Sequence, residues 1–352
     1  MSKYDVITMK TLTLQGSPFA TGQQLGQFGY TAWHRFVVNT PLWRSVTSPV
    51  HAPVLAQLQA AVYEQFPAIW QELEGLAAGL DAPFGSVFAW NCRGDLVPST
   101  SDGCTTVAGF TAQGEQVIAH NEDGYPQLFN DCALVTIQPD DGVAFTSFAY
   151  PGSICGHTFS VNAHGIVNTV NNIRAQHRPP GLPRQVLARA ALNASTLDEA
   201  VAVLTQIARA GAFHHTLSRA GENQILSVEA TGRGCSVREI TQVAGHANHL
   251  VHPALANIEQ VVTGSSASRQ QRLEQWRSGL PEKALSPDEA LAILSDTQSE
   301  PLPVYRQDPQ DPDDENTLAT AVFTLQRGKV GWQVYRGNRN NPENQGVVLV
   351  PE

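Results

Sequence analysis

The chain has 352 residues, of which 42% are hydrophobic and only 15% charged; it can bury a large core and is long for one ordinary domain, though a single layered α/β unit can reach this size. A formal net charge of −10 without any Lys/Arg block argues against nucleic acid and against an anionic membrane surface as partners, because both recruit clustered positive charge. Small molecules are the expected partners.

Residues 1–16 mix Lys3, Asp5 and Lys10 with apolar residues and lack the unbroken apolar core of a signal peptide. No later stretch reaches the ~20 apolar residues of a spanning helix, so a cytoplasmic protein with no membrane partner is expected. Over 19–35 and 52–80 the apolar residues recur at helical spacing, among them Leu55, Leu58, Val62, Phe66, Trp70, Leu73 and Leu76. The first hundred residues therefore read as largely helical. After Gly103 come short β-rich runs at 105–110, 116–121, 133–138, 144–150, 158–161 and 166–170, punctuated by Gly, Asn and Asp, as in an antiparallel meander.

Helices are predicted over 183–193 and 197–209, the second opened by Ser195 and Thr196 with Asp198 and Glu199 in its first turn. Strands resume at 213–218, 224–230 and 234–240. A helix over 287–295 carries a capping box, Ser286 with Glu289, and Pro287 at its first position. A last hairpin pairs 318–326 with 330–335. Strand runs, then helix pairs, then more strands predict an α+β layering of stacked antiparallel sheets with helices outside, without the βαβ alternation of a Rossmann-type sheet. The acidic stretch 308–315, with Pro309 and Pro312, reads as a solvated loop that lacks the glycine and spacing of a calcium loop.

Five scattered cysteines, Cys92, Cys104, Cys132, Cys155 and Cys235, form no C-x-x-C pair, so neither a disulfide framework nor a zinc ribbon is indicated. Four of them read as buried hydrophobes. His246, His249 and His252 recur every third residue, but without a nearby Cys or Glu cluster they point to no metal. His214 and His215, adjacent in a strand, point to opposite faces.

Cys104 differs from the other cysteines. If Gln113-Gly114 is a two-residue turn, its centre lies midway between 104 and 123, and Cys104 and Asp123 become cross-strand neighbours. A thiolate following glycine can attack the Gly103 carbonyl, move the acyl chain to sulfur and let water release a new N-terminal Cys104; glycine would tolerate the backbone strain of that attack. The freed α-amine, titrating near 8, can then take the thiol proton, with Asp123 orienting it. The plain alternative is an inert strand cysteine and a turn aspartate, which Gly-Cys-Thr alone does not exclude.

Motifs spread along the chain favour the first reading. They are Gly16-Ser17-Pro18-Phe19-Ala20-Thr21-Gly22-Gln23-Gln24-Leu25-Gly26, Glu72-Leu73-Glu74-Gly75-Leu76-Ala77-Ala78-Gly79, Asn91-Cys92-Arg93-Gly94-Asp95-Leu96, Gly103-Cys104-Thr105-Thr106, Asn121-Glu122-Asp123, Asn162-Ala163-His164-Gly165-Ile166, Ala247-Asn248-His249, Ser265-Ser266-Ala267-Ser268-Arg269 and the last hairpin from Thr317. In this order they resemble the isopenicillin-N acyltransferase family, self-cleaving N-terminal-nucleophile (Ntn) cysteine enzymes that include β-alanyl-amine hydrolases, and more distantly the choloylglycine hydrolases. The resemblance covers roughly residues 15–340.

The resemblance implies a four-layer αββα sandwich, cut between Gly103 and Cys104 into a largely helical fragment 1–103 and a catalytic fragment 104–352 that stay together as one globular heterodimer. It implies Cys104 as nucleophile, Asp123 as the carboxylate near its amine, Asn248 as an oxyanion-hole donor and Arg269 as a cation beside the nucleophile; the plain reading of Arg269 is a surface residue at a helix start. A second asparagine falls at Asn172, with Asn171 one alignment step away on the other strand face. His120 stands where choloylglycine hydrolases carry arginine, and as an imidazole it could titrate. His120, Asn121, Asn171 and His249 are expected to line the site.

The leading expectation is an N-terminal-cysteine amidohydrolase acting on a small N-acyl amide through an acyl-thioester on Cys104. The alternative is an acyl-CoA-dependent N-acyltransferase; a non-cleaving binding protein with the same fold comes third. No cofactor and no metal are expected, with acyl-CoA a cosubstrate only under the alternative.

Overall fold

The computed structural model describes residues 8–98, 103–280, 284–298 and 302–350. The chain opens with β1 (Lys10–Gly16) and the helices α1 (Pro18–Arg35), α2 (Pro41–Val46), α3 (Ala52–Gln65), α4 (Pro67–Gly79), α5 (Phe84–Asn91) and α6 (Arg93–Leu96). The meander follows as β2 (Gly103–Phe110), β3 (Gln116–Gly124), β4 (Ala133–Pro139), β5 (Phe145–Ala149), β6 (Phe159–Asn162) and β7 (Ile166–Ile173). After α7 (Arg184–Ala191) and α8 (Leu197–Thr205) come β8 (Ala212–Arg219), β9 (Ile225–Thr231), β10 (Gly234–Glu239) and β11 (Ala244–His246). The chain ends with α9 (Gly264–Gly279), α10 (Pro287–Leu294), β12 (Asn316–Gln326), β13 (Lys329–Tyr335) and β14 (Asn344–Leu349).

The strands form two sheets, one of eight in the order β1-β4-β5-β6-β7-β8-β9-β10 and one of six in the order β11-β2-β3-β12-β13-β14. One pairing departs from the expected antiparallel pattern: β1 runs parallel to β4, joining the start of the chain to the large sheet. Three apolar layers hold the stack together. Leu25, Trp33, Leu73, Val135 and Ile137 lie between the first helices and the large sheet; Ile118, Phe148, Phe159 and Phe323 lie between the sheets; Val107, Val117, Leu273 and Ile293 join the small sheet to α9 and α10. Adjacent residues Val117 and Ile118 thus serve opposite layers, as the two-residue period of a strand requires. This is the expected four-layer αββα sandwich.

The single predicted helix over 52–80 is two helices. Phe66 breaks it with φ −133° and ψ 62°, because Pro67 drives the preceding residue out of the helical region. No helix among the described residues is long and apolar enough to cross a membrane.

Residues before Gly103 are locked to those after it by buried polar contacts. Arg189 on α7 donates to Glu72 on α4 at 2.8 Å, Asp95 accepts the Arg184 backbone N–H at 3.0 Å, and Asn91 accepts from Ile154 N at 2.9 Å and donates to Gly152 O at 3.0 Å.

Helices α1 and α4 cross backbone to backbone, with Gly22 and Gly26 facing Gly75 and Gly79. A Cβ at Gly75 would stand 2.0 Å from Phe19 O and one at Gly22 2.0 Å from Glu72 O, a separation that only displacement of a helix relieves. Gly75→Ala is therefore expected to cost about 2–3 kcal/mol or more, read as a lowered denaturant midpoint. Gly85→Ala on α5, where a Cβ meets nothing within 4 Å, should leave the midpoint unchanged or raised. Equal midpoints for both variants would contradict the close-packed crossing.

Candidate active site

The β2–β3 hairpin is closed by three residues instead of the two expected. Thr111 N–H reaches Glu115 O and Gly114 N–H reaches Thr111 O, both at 2.9 Å, while Gly114 takes φ +85°, the left-handed position such a loop needs. The Thr111 hydroxyl reinforces the loop by accepting from Gln113 N and Glu115 N. The odd loop length shifts the pairing by one residue, so Cys104 opposes Glu122, and Gly103 opposes Asp123.

That shift decides which side chains meet. Cys104, Thr106, His120 and Glu122 share the face turned to the large sheet, where Thr106 Oγ1 reaches Asn171 Oδ1 at 2.8 Å and His120 packs on Phe159. Cys104 is 2% exposed, and its Sγ lies 3.9 Å from Glu122 Oε2. Glu122 accepts the Tyr150 hydroxyl at 2.8 Å on its other oxygen. His120 lies between Thr106 Oγ1, 2.8 Å from Nδ1, and Glu122 Oε2, 3.0 Å from Nε2. The His120–Glu122 contact would be an ion pair only with a protonated ring, and burial pushes His120 down to about 3, so it is a hydrogen bond that the neutral imidazole donates to the carboxylate. His120 is therefore not the near-neutral titrating group expected at this position.

The opposite face and the strand end hold the backbone of Cys104. Asn248 Oδ1 accepts the Cys104 N–H at 3.0 Å and Arg269 Nη2 at 2.6 Å, while its Nδ2 donates to Asn172 O at 3.0 Å. Arg269, on α9 and 1% exposed, donates to Cys104 O at 2.6 Å, Thr105 Oγ1 at 3.0 Å and Ser265 Oγ at 3.1 Å. It is a buried clamp on the Cys104 carbonyl and not a surface residue. Ser266, its neighbour in the same motif, accepts Asn248 N–H at 2.9 Å and holds His249 at 2.7 Å.

Asp123 has Oδ1 on the Thr317 hydroxyl at 2.7 Å, while its buried Oδ2 has no hydrogen-bond partner among the described residues; burial pushes its carboxyl up, against the pull of Arg269 and Arg306. Asn121 donates to Leu294 O and Val304 O beneath α10. Asn171 turns into the inter-sheet space, bonded to Thr106 and, at 3.1 Å, to His246 O. The Asn172 side chain points the other way, accepting from Arg184 Nη1 at 2.5 Å, while its carbonyl accepts from Asn248.

The acidic stretch 308–315 is exposed at 308–310 and 312–314, as expected of a solvated loop, but it buries Glu315. It folds around Arg306, 1% exposed, whose guanidinium binds Asp311 and reaches Asp313 at 3.2 Å, Glu315 at 3.0 Å and Ser265 Oγ at 2.6 Å. The loop's cation is a residue of its own chain.

Of the histidine triplet, His246 turns to Glu229 at 2.9 Å, His249 to Ser266, and His252 to Ser227 and Ser236, both at 2.9 Å; His246 and His252 both approach Glu229, the latter at 3.9 Å. One ligand atom each from Cys104, His120 and Glu122 does converge, within 4.8 Å, a donor set able to hold a metal ion. Beside this group a cavity of about 370 Å³ opens at the sheet edge, lined by Thr106, His214, Ser227, Glu239, His246 and Gln270 among others, though not by Cys104.

Glu122, Tyr150, Arg306, Glu315 and Thr317 escaped the sequence reading. A three-residue loop read from Thr111 and Gly114 would have brought out Glu122; the others reach the site from distant segments and leave no local signal.

Residues 110–341 match the family described as acyl-coenzyme A:6-aminopenicillanic acid acyl-transferase. The chain is 25% identical over 219 residues to the β-alanyl-dopamine/carcinine hydrolase of Drosophila melanogaster, a match spanning 55% of this chain and 56% of the fly protein. It is 25% identical to the 40 kDa form of acyl-coenzyme A:6-aminopenicillanic-acid-acyltransferase of Emericella nidulans, over 97% of this chain and 96% of that one. A mutant of the conjugated bile acid hydrolase from Clostridium perfringens superposes with a TM-score of 0.45 at 10% identity, over 70% of this chain and 92% of that one.

Burial also pushes His215 down to about 3. An unfolded histidine binds its proton below about 6.5, whereas His120 and His215 in the folded chain stay neutral down to about 3. The unfolded state thus binds more protons in that window, and stability falls as pH drops from about 6.5 to 3. His215→Asn removes one such group, so its urea midpoint is expected to fall less steeply with acid than that of the parent. A parallel fall in both would contradict a neutral buried His215.

Proposed function

The chain belongs to the acyl-coenzyme A:6-aminopenicillanic acid acyl-transferase family, and on that premise we propose that it is a self-cleaving N-terminal-cysteine amidohydrolase acting on a small N-acyl amide. The observation that carries this reading is the setting of Cys104. Its thiol faces a carboxylate, its N–H rests on Asn248 and its carbonyl on Arg269. A merely structural cysteine needs none of these.

Before cleavage Glu122 is the group placed to take the thiol proton. After cleavage the freed Cys104 amine takes over that role, held by Asn248 Oδ1, which already accepts the same nitrogen. Thiolate attack on a substrate carbonyl then builds an oxyanion toward which the Asn248 amide can offer a second hydrogen; such a donor contributes about 2.7–4 kcal/mol. Departure of the amine leaves an acyl-thioester on Cys104 that water releases. The polar contacts of Glu72, Asn91 and Asp95 across the cut support two fragments that remain together.

The substrate follows the relatives in class. Amides of β-alanine with amines are the first choice, because the fly relative is named for β-alanyl-dopamine and carcinine. A second reading, transfer of an acyl group from coenzyme A to an amine, draws on the fungal acyltransferase matched over 97% of this chain. A net charge of −10 offers the phosphates of coenzyme A no broad attraction, which favours hydrolysis.

Intact mass and N-terminal sequencing of the purified chain are expected to give fragments of 103 and 249 residues, about 11 and 27 kDa by share of length, the larger beginning Cys-Thr-Thr. Cys104→Ala should remain one chain of 38.0 kDa and be inactive; Cys104→Ser should cleave slowly. The mature protein should release free acid and amine from β-alanyl amides without any acyl-CoA. An uncut parent chain would overturn self-cleavage, and acyl transfer outrunning hydrolysis would favour the second reading.

A further inference from the structure

Glycine at position 103 needs a reason other than backbone freedom. Gly103 is an extended residue of β2, outside the described glycines with positive φ, and its pairing with Asp123 is regular. What excludes a side chain is Glu315: a Cβ on Gly103 would stand 2.5 Å from Glu315 Oε2 and 3.3 Å from Glu315 Cδ. The carboxylate occupies the space a side chain would fill.

Glu315 is held there by construction. It is 4% exposed, its Oε2 accepts Arg306 Nη1 at 3.0 Å, and Arg174 Nη2 lies 3.9 Å from Oε1. Arg306 is fixed by Asp311 and by Ser265, and Ser265 also accepts Arg269, the clamp on the Cys104 carbonyl. The loop 306–317 closes on itself where Thr317 N–H meets Arg306 O at 2.8 Å. Two carboxylates, Asp123 beside it in the sheet and Glu315 from the loop, therefore flank Gly103, on the acyl side of the bond to Cys104.

We propose that Glu315 is a catalytic residue of the self-cleavage, the general base for the water that hydrolyses the Gly103 thioester, and that residue 103 is glycine to admit its carboxylate. The proposal rests on the self-cleavage reading above. In the first half, the Cys104 thiol gives its proton to Glu122, sulfur bonds to the Gly103 carbonyl carbon, the carbon–nitrogen bond breaks, and the Cys104 nitrogen receives the proton from Glu122. In the second half, a water oxygen bonds to the same carbon while its proton passes to Glu315. The carbon–sulfur bond then breaks, and the departing thiolate takes that proton back. The sum is one water consumed, one carboxyl at Gly103 and one amine at Cys104. Burial, only partly offset by Arg174 and Arg306, raises the Glu315 carboxyl to about 7, which matches a base to a near-neutral reaction.

The test follows the mass of freshly refolded full-length chain with time, for the parent, Glu315→Gln and Glu315→Asp, with and without hydroxylamine, which attacks thioesters. The parent is expected to cleave at a rate that rises with pH through about 7, because the base acts deprotonated. Glu315→Gln should cleave about 10²–10⁴-fold more slowly and lose that inflexion, and hydroxylamine should restore its cleavage by forming a hydroxamate at Gly103. Glu315→Asp should recover part of the rate. Cleavage of Glu315→Gln at the parent rate would overturn the proposal. So would a slow variant that hydroxylamine does not rescue, since Glu315 would then act before the thioester or only hold the fold. A parent chain that never cleaves would instead sink the self-cleavage reading itself.

Discussion

The three residues that close the β2–β3 hairpin decide the rest of the site. Because side chains alternate along a strand, one residue more or less in that loop exchanges the faces of every residue in one strand relative to the other. With Thr111 and Glu115 paired across the loop, Glu122 stands opposite Cys104 and carries a carboxylate to the thiol, while Asp123 falls to the level of Gly103. A two-residue turn would have reversed those assignments. The loop thus separates two carboxylates with different neighbours: Glu122 with thiol, imidazole and phenol, and Asp123 with threonine and the arginine cluster.

The second constraint is electrostatic. Arg269 and Arg306 are each 1% exposed, and taking a guanidinium out of water costs several kcal/mol unless its donors are met. Here Arg269 meets the Cys104 carbonyl, Asn248, Thr105 and Ser265, and Arg306 meets Ser265 and three carboxylates. Ser265 joins the two. Such a network tolerates little displacement, because each member lost would leave a buried charge uncompensated. It holds the Cys104 backbone through Arg269 and sets the Glu315 carboxylate against Gly103.

Much of the layering was legible in the sequence. Strand runs between 105 and 170, the capping box at Ser286 and the hairpin around Gly328 follow from periodicity and turn chemistry, which are local. The errors were also local in cause: the helix break at Phe66 follows from Pro67, and the hairpin register from Thr111. Strand β1 was missed because its pairing with β4 is parallel and distant. In the site, Cys104 came from its residue type after glycine and Asn248 and Arg269 from the family resemblance, and the structure brings them into direct contact. Glu122 was hidden by the one-residue register error. Glu315 and Arg306 could not be read because the loop is mostly exposed, as it looks in the sequence, while its buried end is fixed by a cation that comes before it in the chain. The choice between Asn171 and Asn172 turned on strand parity, which puts the Asn171 side chain in the inter-sheet space and that of Asn172 on the helix side.

The central claim is that the Cys104 thiol, as a new N-terminus, carries the acyl group of the substrate. Rapid acid quench of the protein during turnover of a β-alanyl amide, followed by peptide mass spectrometry, tests it most directly. The account predicts a peptide beginning at Cys104 with a free α-amine and one acyl group on sulfur, labile to hydroxylamine. An acyl group on any other residue, or turnover by a chain in which Gly103 and Cys104 are still joined, would contradict it.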